Sequence, residues 1–154
     1  MATTYTTQAA KINDLANTYA PLKPNELHGR VRVAFFQETC VGSEAIGDII
    51  RLTKLPAGSR VVDFKFCCED IGAATATLGI GDADDSDRLV SAIAVASAVA
   101  FGAASTILRT PTTETPDIGF GYVYDAETWI TATVQTAALD AASNFWGAIF
   151  YVVD

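Results

Sequence analysis

Residues 51–87 read RLTKLPAGSRVVDFKFCCEDIGAATATLGIGDADDSD, and no other stretch constrains the fold as much. Two apolar β-runs are joined by Leu55-Pro-Ala-Gly58, in which Pro fixes φ at the second turn position and Gly relieves the strain. The first of them, residues 47–55, alternates Ile50, Leu52 and Lys54 against Ile49, Arg51 and Thr53. In residues 60–68, alternation puts Val61, Asp63, Lys65 and Cys67 on one face and Val62, Phe64, Phe66 and Cys68 on the other. A third run ends in the acidic turn Asp82-Ala-Asp84-Asp85-Ser-Asp87. This is the wiring of a compact antiparallel β-domain, and it holds no catalytic signature.

The rest of the chain extends that pattern. Residues 30–36 begin as alternation and become an apolar run, as a strand entering a core does. Residues 120–124, 128–136 and 145–153 are further strands; Thr128-Trp-Ile-Thr-Ala-Thr-Val alternates and is rich in β-formers. Residues 88–107 read as a short strand or helical turn followed by a loop at Gly102, because Ala favours helix while Val90, Ile93, Val95 and Val99 suit a strand. Residues 110–117 hold two prolines and form a surface loop. Seven or eight strands with turns every eight to twelve residues predict an all-β antiparallel sandwich, with a jelly roll as the leading topology. No internal repeat is visible.

Residues 1–29 differ from this body. The start is Thr-rich, Ile12, Leu15 and Tyr19 share one side of a helical turn, and Pro21 and Pro24 break any regular element. The expected organisation is an extended N-terminal arm over 1–29 and a β-sandwich domain over 30–154. An arm ordered on a partner and a frayed terminus without a role both fit this composition.

Charge narrows the partners. The net charge is −8, which argues against nucleic acid as a ligand. Charged residues make up 18%, below the usual quarter or so of a globular chain, as in proteins that cover surface in an oligomer or on a partner. Residues 1–65 carry eight basic and six acidic groups, a balance of +2; residues 66–154 carry two basic groups, Arg88 and Arg109, and twelve acidic ones, a balance of −10. A docking N-terminal part with a solvated remainder satisfies this, and so does a fold that mixes the halves in space.

Candidate chemistry is sparse. His28 is the sole histidine, and nothing nominates an orienting partner or a nucleophile for it. Gly79-x-Gly81 runs into aspartates, which would repel a phosphate. The acidic turn has oxygen ligands at alternate positions, but a calcium loop starting at Asp82 would need Gly and Glu where Asp87 and Ile93 stand. A solvated hairpin turn is the expected reading. No catalytic residue, metal or cofactor is expected. Cys40, Cys67 and Cys68 have no metal-ligand spacing and are expected to be reduced, mostly buried thiols, which fits assembly in a cytoplasm. The aromatics Phe120, Tyr122, Tyr124, Trp129, Phe145, Trp146, Phe150 and Tyr151 are expected in the core, although Glu127 before Trp129 hints at a carbohydrate platform. No signal peptide precedes the body, and the uncharged residues 89–108 are too poor in Leu and Phe to favour a membrane span.

Several pieces resemble capsid decoration (cement) proteins and related minor head proteins of tailed phages. They are Gly47-Asp48-Ile49-Ile50, Leu55-Pro-Ala-Gly58, Val61-Val62-Asp63, Leu78-Gly-Ile-Gly-Asp82, Ala83-Asp84-Asp85-Ser86-Asp87-Arg88, Tyr124-Asp-Ala-Glu127 and Thr131-Ala-Thr133. The resemblance spans roughly residues 47–154 and departs at the alanine-rich residues 91–105. It implies a jelly-roll-like sandwich that forms a homotrimer on the outer surface of the virion shell. There it would bind the major capsid protein where capsomers meet, with no enzymatic activity, no nucleic acid and no membrane. Within that expectation the arm is the capsid contact, through Thr3, Thr4, Tyr5, Lys11, Ile12, Leu15, Tyr19 and Lys23. A tail or head-fibre base protein and a carbohydrate-binding or hydrolytic sandwich are the competing expectations.

Overall fold

A computed structural model describes residues 30–42, 44–100, 108–109 and 118–153. The expected arm, with His28, lies outside the described residues. Eight strands are present among those described, and no helix: β1 (Arg32–Thr39), β2 (Ile49–Leu55), β3 (Ser59–Cys68), β4 (Thr77–Gly81), β5 (Val90–Ala94), β6 (Val123–Tyr124), β7 (Thr128–Gln135) and β8 (Asn144–Val153).

They form two four-stranded sheets, ordered β1-β8-β3-β6 and β2-β7-β4-β5. Every pairing is antiparallel. First pairs with last, second with seventh, third with sixth and fourth with fifth. This is one long hairpin wrapped on itself, the winding of a jelly roll. Strand order, which a single sequence does not show, settles the topology in favour of the jelly roll.

The core lies between the sheets. Phe36, Phe64, Phe66 and Phe145 form its aromatic centre, with ring centroids 5.6 to 6.4 Å apart along the chain of contacts. Leu55, Ile71, Leu78, Ile80, Ile93, Ile130 and Ile149 fill the remainder. Gly147 faces this cluster from the middle of β8, where it is opposite Phe36 on one side and Phe66 on the other. A Cβ there would meet Phe36 Cζ at 2.2 Å, so the missing side chain is what admits the ring.

Two bulges alter the expected faces. In β3 the register on β8 shifts between Val61 and Asp63. Val62 is the extra residue, so Ser59 and Val61 point inward before it and Phe64, Phe66 and Cys68 after it. Val61 is therefore buried rather than outward, a change of face that one inserted residue produces. In β2 the shift falls between Arg51 and Thr53, and it carries Lys54 to the outer face with Ile49 and Arg51.

The expected strand at 30–36 does not enter the core as a whole. Ala34 and Phe36 turn inward, while Val31, Val33 and Phe35 stay outside. Residues 88–107 contribute β5 and then a bridge from Val99 to Cys68; residues 101–107 lie outside the described residues. No helix among the described residues is long and apolar enough to cross a membrane.

Candidate functional site

The acidic turn is solvated at Ala83, Asp84 and Ser86, as expected, but its two ends, Asp82 and Arg88, are buried. It connects β4 to β5 and folds back over the outer face of the second sheet. Gly79 and Gly81 are the reason it can. A Cβ on Gly81 would lie 2.0 Å from the Asp85 carbonyl oxygen, and one on Gly79 would lie 3.2 Å from that of Ser86. The glycine pair thus leaves a bed for the turn's own backbone.

Asp82 organises the loop from within. It is 5% exposed. Its Oδ1 accepts the N–H groups of Asp84 and Asp85 at 2.9 and 3.0 Å. Its Oδ2 accepts from Arg88 Nε at 2.5 Å. Those carboxylate oxygens are committed to internal donors, which accounts for the turn without a cation. Among the described residues no group of three or more His, Cys, Asp or Glu side chains could hold a metal ion.

Arg88 then stacks over Tyr122, its Cζ 4.3 Å from the ring centroid, and Tyr122 meets Tyr124 edge-on. Burial alone would lower the Arg88 pKa, but the hydrogen bond and charge of Asp82 raise it overall. Burial, with the Asp82 charge, pushes the Tyr124 hydroxyl far above the usual phenol range. Arg109 completes the loop by donating to Asp87 Oδ1 at 2.9 Å and to the Asp87 carbonyl at 3.1 Å. Even so, burial and the neighbouring Asp85 carboxylate leave the Asp87 pKa raised. Arg88 and Arg109 are the two basic groups beyond Lys65, and both close on this turn.

Away from the turn, several large apolar side chains are exposed. Eight large hydrophobic residues are exposed among those described: Val31, Val33, Phe35, Val41, Ile46, Ile49, Phe120 and Trp129. Val31 stands just before β1, Val33 and Phe35 on it, Val41 and Ile46 in the β1–β2 loop, and Ile49 at the start of β2. β1 and β2 are edge strands of their sheets, but Phe35 faces out of the first sheet beside Trp146 and Ile49 out of the second beside Trp129. Phe35 is the most exposed of the eight, at 77%. It borders a groove of about 410 Å³ with Gln37, Trp146 and Gly147.

A second cleft, about 360 Å³, opens on the outer face of the second sheet beside Trp129. Its rim includes Ile49, Arg51, Asp84 and Glu127. The exposed ring beside carboxylates that a carbohydrate platform needs is therefore present in part. The ring is not bare, however. Arg51 lies 5.4 Å and Lys54 5.8 Å from its centroid, and Lys54 also pairs with Glu127.

The late aromatics do not all serve the core. Phe145 and Tyr124 are buried, Tyr122, Trp146, Phe150 and Tyr151 are half-buried, and Phe120 and Trp129 are exposed. Adjacent aromatics in a strand point to opposite faces, so Phe145-Trp146 and Phe150-Tyr151 each send one ring to the sheet exterior. The cysteines are free thiols, with Cys40 and Cys68 buried and Cys67 half-buried. Thr3, Thr4, Tyr5, Lys11, Ile12, Leu15, Tyr19 and Lys23 lie outside the described residues.

No protein-family model matches the chain, and no curated protein matches it. Solved structures do. A chain of the cyanophage Pam1 capsid asymmetric unit is 23% identical, with 90% of this chain and 96% of that chain covered and a TM-score of 0.60. A chain of the capsid of Ralstonia phage GP4 is 21% identical, with 88% and 91% covered and a TM-score of 0.59. A chain of the acid-stable capsid of Helicobacter pylori bacteriophage KHP30 is 17% identical, with 82% and 90% covered and a TM-score of 0.53. At these identities the likeness is one of fold: a jelly-roll chain of this size is also found in the capsid structures of three phages.

Proposed function

We propose that this protein is a non-enzymatic structural component of a phage virion. In this reading it is a decoration protein that binds the outer surface of the head and holds capsomer junctions together as a trimer. The observation that carries the reading is the mutual coverage. Each of the three capsid-derived chains aligns over at least 82% of this chain and at least 90% of itself. The protein is thus comparable in extent to a whole chain of those assemblies rather than to a fragment of one.

The physical logic suits a staple. Packaged nucleic acid pushes a shell outward, and a bridging subunit must resist separation of its neighbours. Three arms on one trimer act together, so each contact can be weak while the assembly holds. Residues 3–25 are the proposed shell contact, with Lys11 and Lys23 pairing with acidic shell residues. The −10 balance of residues 66–154 keeps the remainder solvated and away from nucleic acid.

The carbohydrate alternative is weakened by the two cations over Trp129. A tail or fibre-base role shares the fold and differs in copy number. The test is co-sedimentation with expanded capsids lacking this protein. Saturable binding at many copies per shell, with raised heat resistance of the shell, is the expected result. Absence of binding overturns the proposal, and a handful of copies per particle turns it toward the tail. A variant lacking residues 2–24 that binds as well as the full chain removes the arm from the contact.

A further inference from the structure

We infer that the outer face of the first sheet is the seat of the chain's own N-terminal segment, with Ile12, Leu15 and Tyr19 laid against Phe35, Trp146 and Phe150.

The face is apolar and is built across strands. Residues directly opposite in paired strands share a face. Val33 stands opposite Phe150 and Phe35 opposite Ala148, with Trp146 next along β8 on the same side. Phe35 is 77% exposed, and with Trp146 it borders the groove of about 410 Å³. Beyond β8, Asp63 and Lys65 stand opposite Phe150 and Ala148 and pair with each other at 3.1 Å. The patch therefore offers rings and methyl groups, bounded by an ion pair that is already neutral. An apolar patch of this kind marks an interaction site, and its occupant is apolar rather than charged.

The second sheet is a poorer seat. Its outer face carries the acidic turn on Gly79 and Gly81, and Arg51 and Lys54 stand over Trp129. An apolar segment laid there would strip water from those charges.

Length and attachment select the occupant. Residues 1–29 join the sandwich at Arg30, two residues before β1, the edge strand that carries Val33 and Phe35. In the sequence, Ile12, Leu15 and Tyr19 fall at i, i+3 and i+7, which one side of a helical segment brings together, and Asn13, Asp14 and Asn17 fall on the other. Residues 20–29 hold Pro21 and Pro24, which stop such a segment and let the chain reverse. Extended, that connection reaches about 33 Å, more than the ~27 Å length of β1, so the segment can lie beside any part of β1 and β8. A tether of this reach holds the segment at an effective concentration of about millimolar, which favours the chain's own segment over another copy's in dilute protein.

The virion reading gives residues 3–25 to the shell. The two roles follow in order: the segment rests on the sheet in the free protein and leaves it on the shell, which uncovers Phe35 there. The inference goes beyond that reading and is tested on the free protein alone, so its failure and that of shell binding are separate results.

The experiment is hydrogen exchange at the backbone amides of residues 10–20 in the full chain and in Leu15→Asp, Phe35→Asp and Ile49→Asp. Expected is exchange about tenfold or more slower than in an unstructured peptide of the same sequence. Leu15→Asp in the segment and Phe35→Asp on the face each abolish that protection. Ile49→Asp, at a position 62% exposed on the outer face of the other sheet, leaves it in place. Unchanged protection of β3 and β8 verifies that the sandwich stays folded in each variant. Amides that exchange at the peptide's rate in the full chain overturn the inference, and so does protection that survives Phe35→Asp. Protection that falls on dilution together with the mass in light scattering gives the seat to another copy's segment, which also overturns it.

Discussion

Asp82 and Arg88, six residues apart, close the acidic turn onto itself through a carboxylate–guanidinium contact of 2.5 Å between nearly buried side chains. Removing one partner of such a pair strands the other charge away from water. Arg88→Ala is expected to destabilise the fold by roughly 3–5 kcal/mol, the range for breaking a buried pair. Urea unfolding of both single variants and of the double variant Asp82→Ala/Arg88→Ala measures it. The double variant is expected to cost less than the two singles together.

The two glycines beneath that turn are expected to differ. At Gly81 a methyl group meets fixed backbone of Asp85, Ser86 and Asp87, whereas at Gly79 its nearest neighbour is the flexible end of Gln135. Gly81→Ala therefore lifts the turn off the sheet and costs roughly 2–3 kcal/mol, in the upper range for overpacking. Gly79→Ala costs less than half of that. Equal unfolding midpoints for the two variants would count against the packing account.

Gly147→Ala is a core-overpacking substitution of the same kind. Its methyl group meets Phe36 Cζ at 2.2 Å and the Lys65 carbonyl oxygen at 2.4 Å. The ring can withdraw but the backbone cannot. A loss of about 2–3 kcal/mol is expected, and adding Phe36→Leu recovers only part of it. Full recovery would show that the backbone contact carries no weight.

Alkaline pH probes the buried thiols. Burial, assisted by Glu44 and Glu38, pushes Cys40 up from 9.0 to about 11. Burial raises Cys68 as well. The unfolded thiol gives up its proton first, so between pH 9 and 11 the folded state holds more protons and stability falls as pH rises. Cys40 contributes a decline of about 2–3 kcal/mol over that window. Chemical denaturation from pH 8 to 11 is expected to show this slope, and Cys40→Ala to flatten it whatever its cost at neutral pH. Cys67, half-buried, is expected to react first with a thiol reagent.

Much of the architecture was legible because it depends on short-range pattern. Leu55-Pro-Ala-Gly58 gives the β2–β3 turn, and Phe64, Phe66 and Cys68 point inward as alternation requires. What failed was phase. Nothing at Val62 or Leu52 advertises a bulge, since an extra residue is set by the partner strand's register and not by its own side chain. The exposure of Phe35 was hidden for a related reason: Phe35 and Phe36 are chemically identical, and only the pairing of β1 with β8 decides which one faces solvent. The inward fold of the acidic turn did leave a trace, in Gly79-x-Gly81 before it and Arg88 after it. Read as a phosphate loop the glycines fail; read as space for a returning backbone they fit.

The pairing of first strand with last has a practical consequence. Arg32 stands opposite Tyr151, so the start of β1 and the end of β8 rise side by side from one corner of the sandwich. Residues 1–29 could themselves serve as the connection from β8 to β1, and new ends could be opened at Pro56-Ala57-Gly58, a turn outside the strands. Such a circular permutant would keep every strand pairing while moving the root of residues 1–29 into the middle of the chain. A cargo domain fused after Val153, by contrast, would emerge beside that root and compete for whatever it touches.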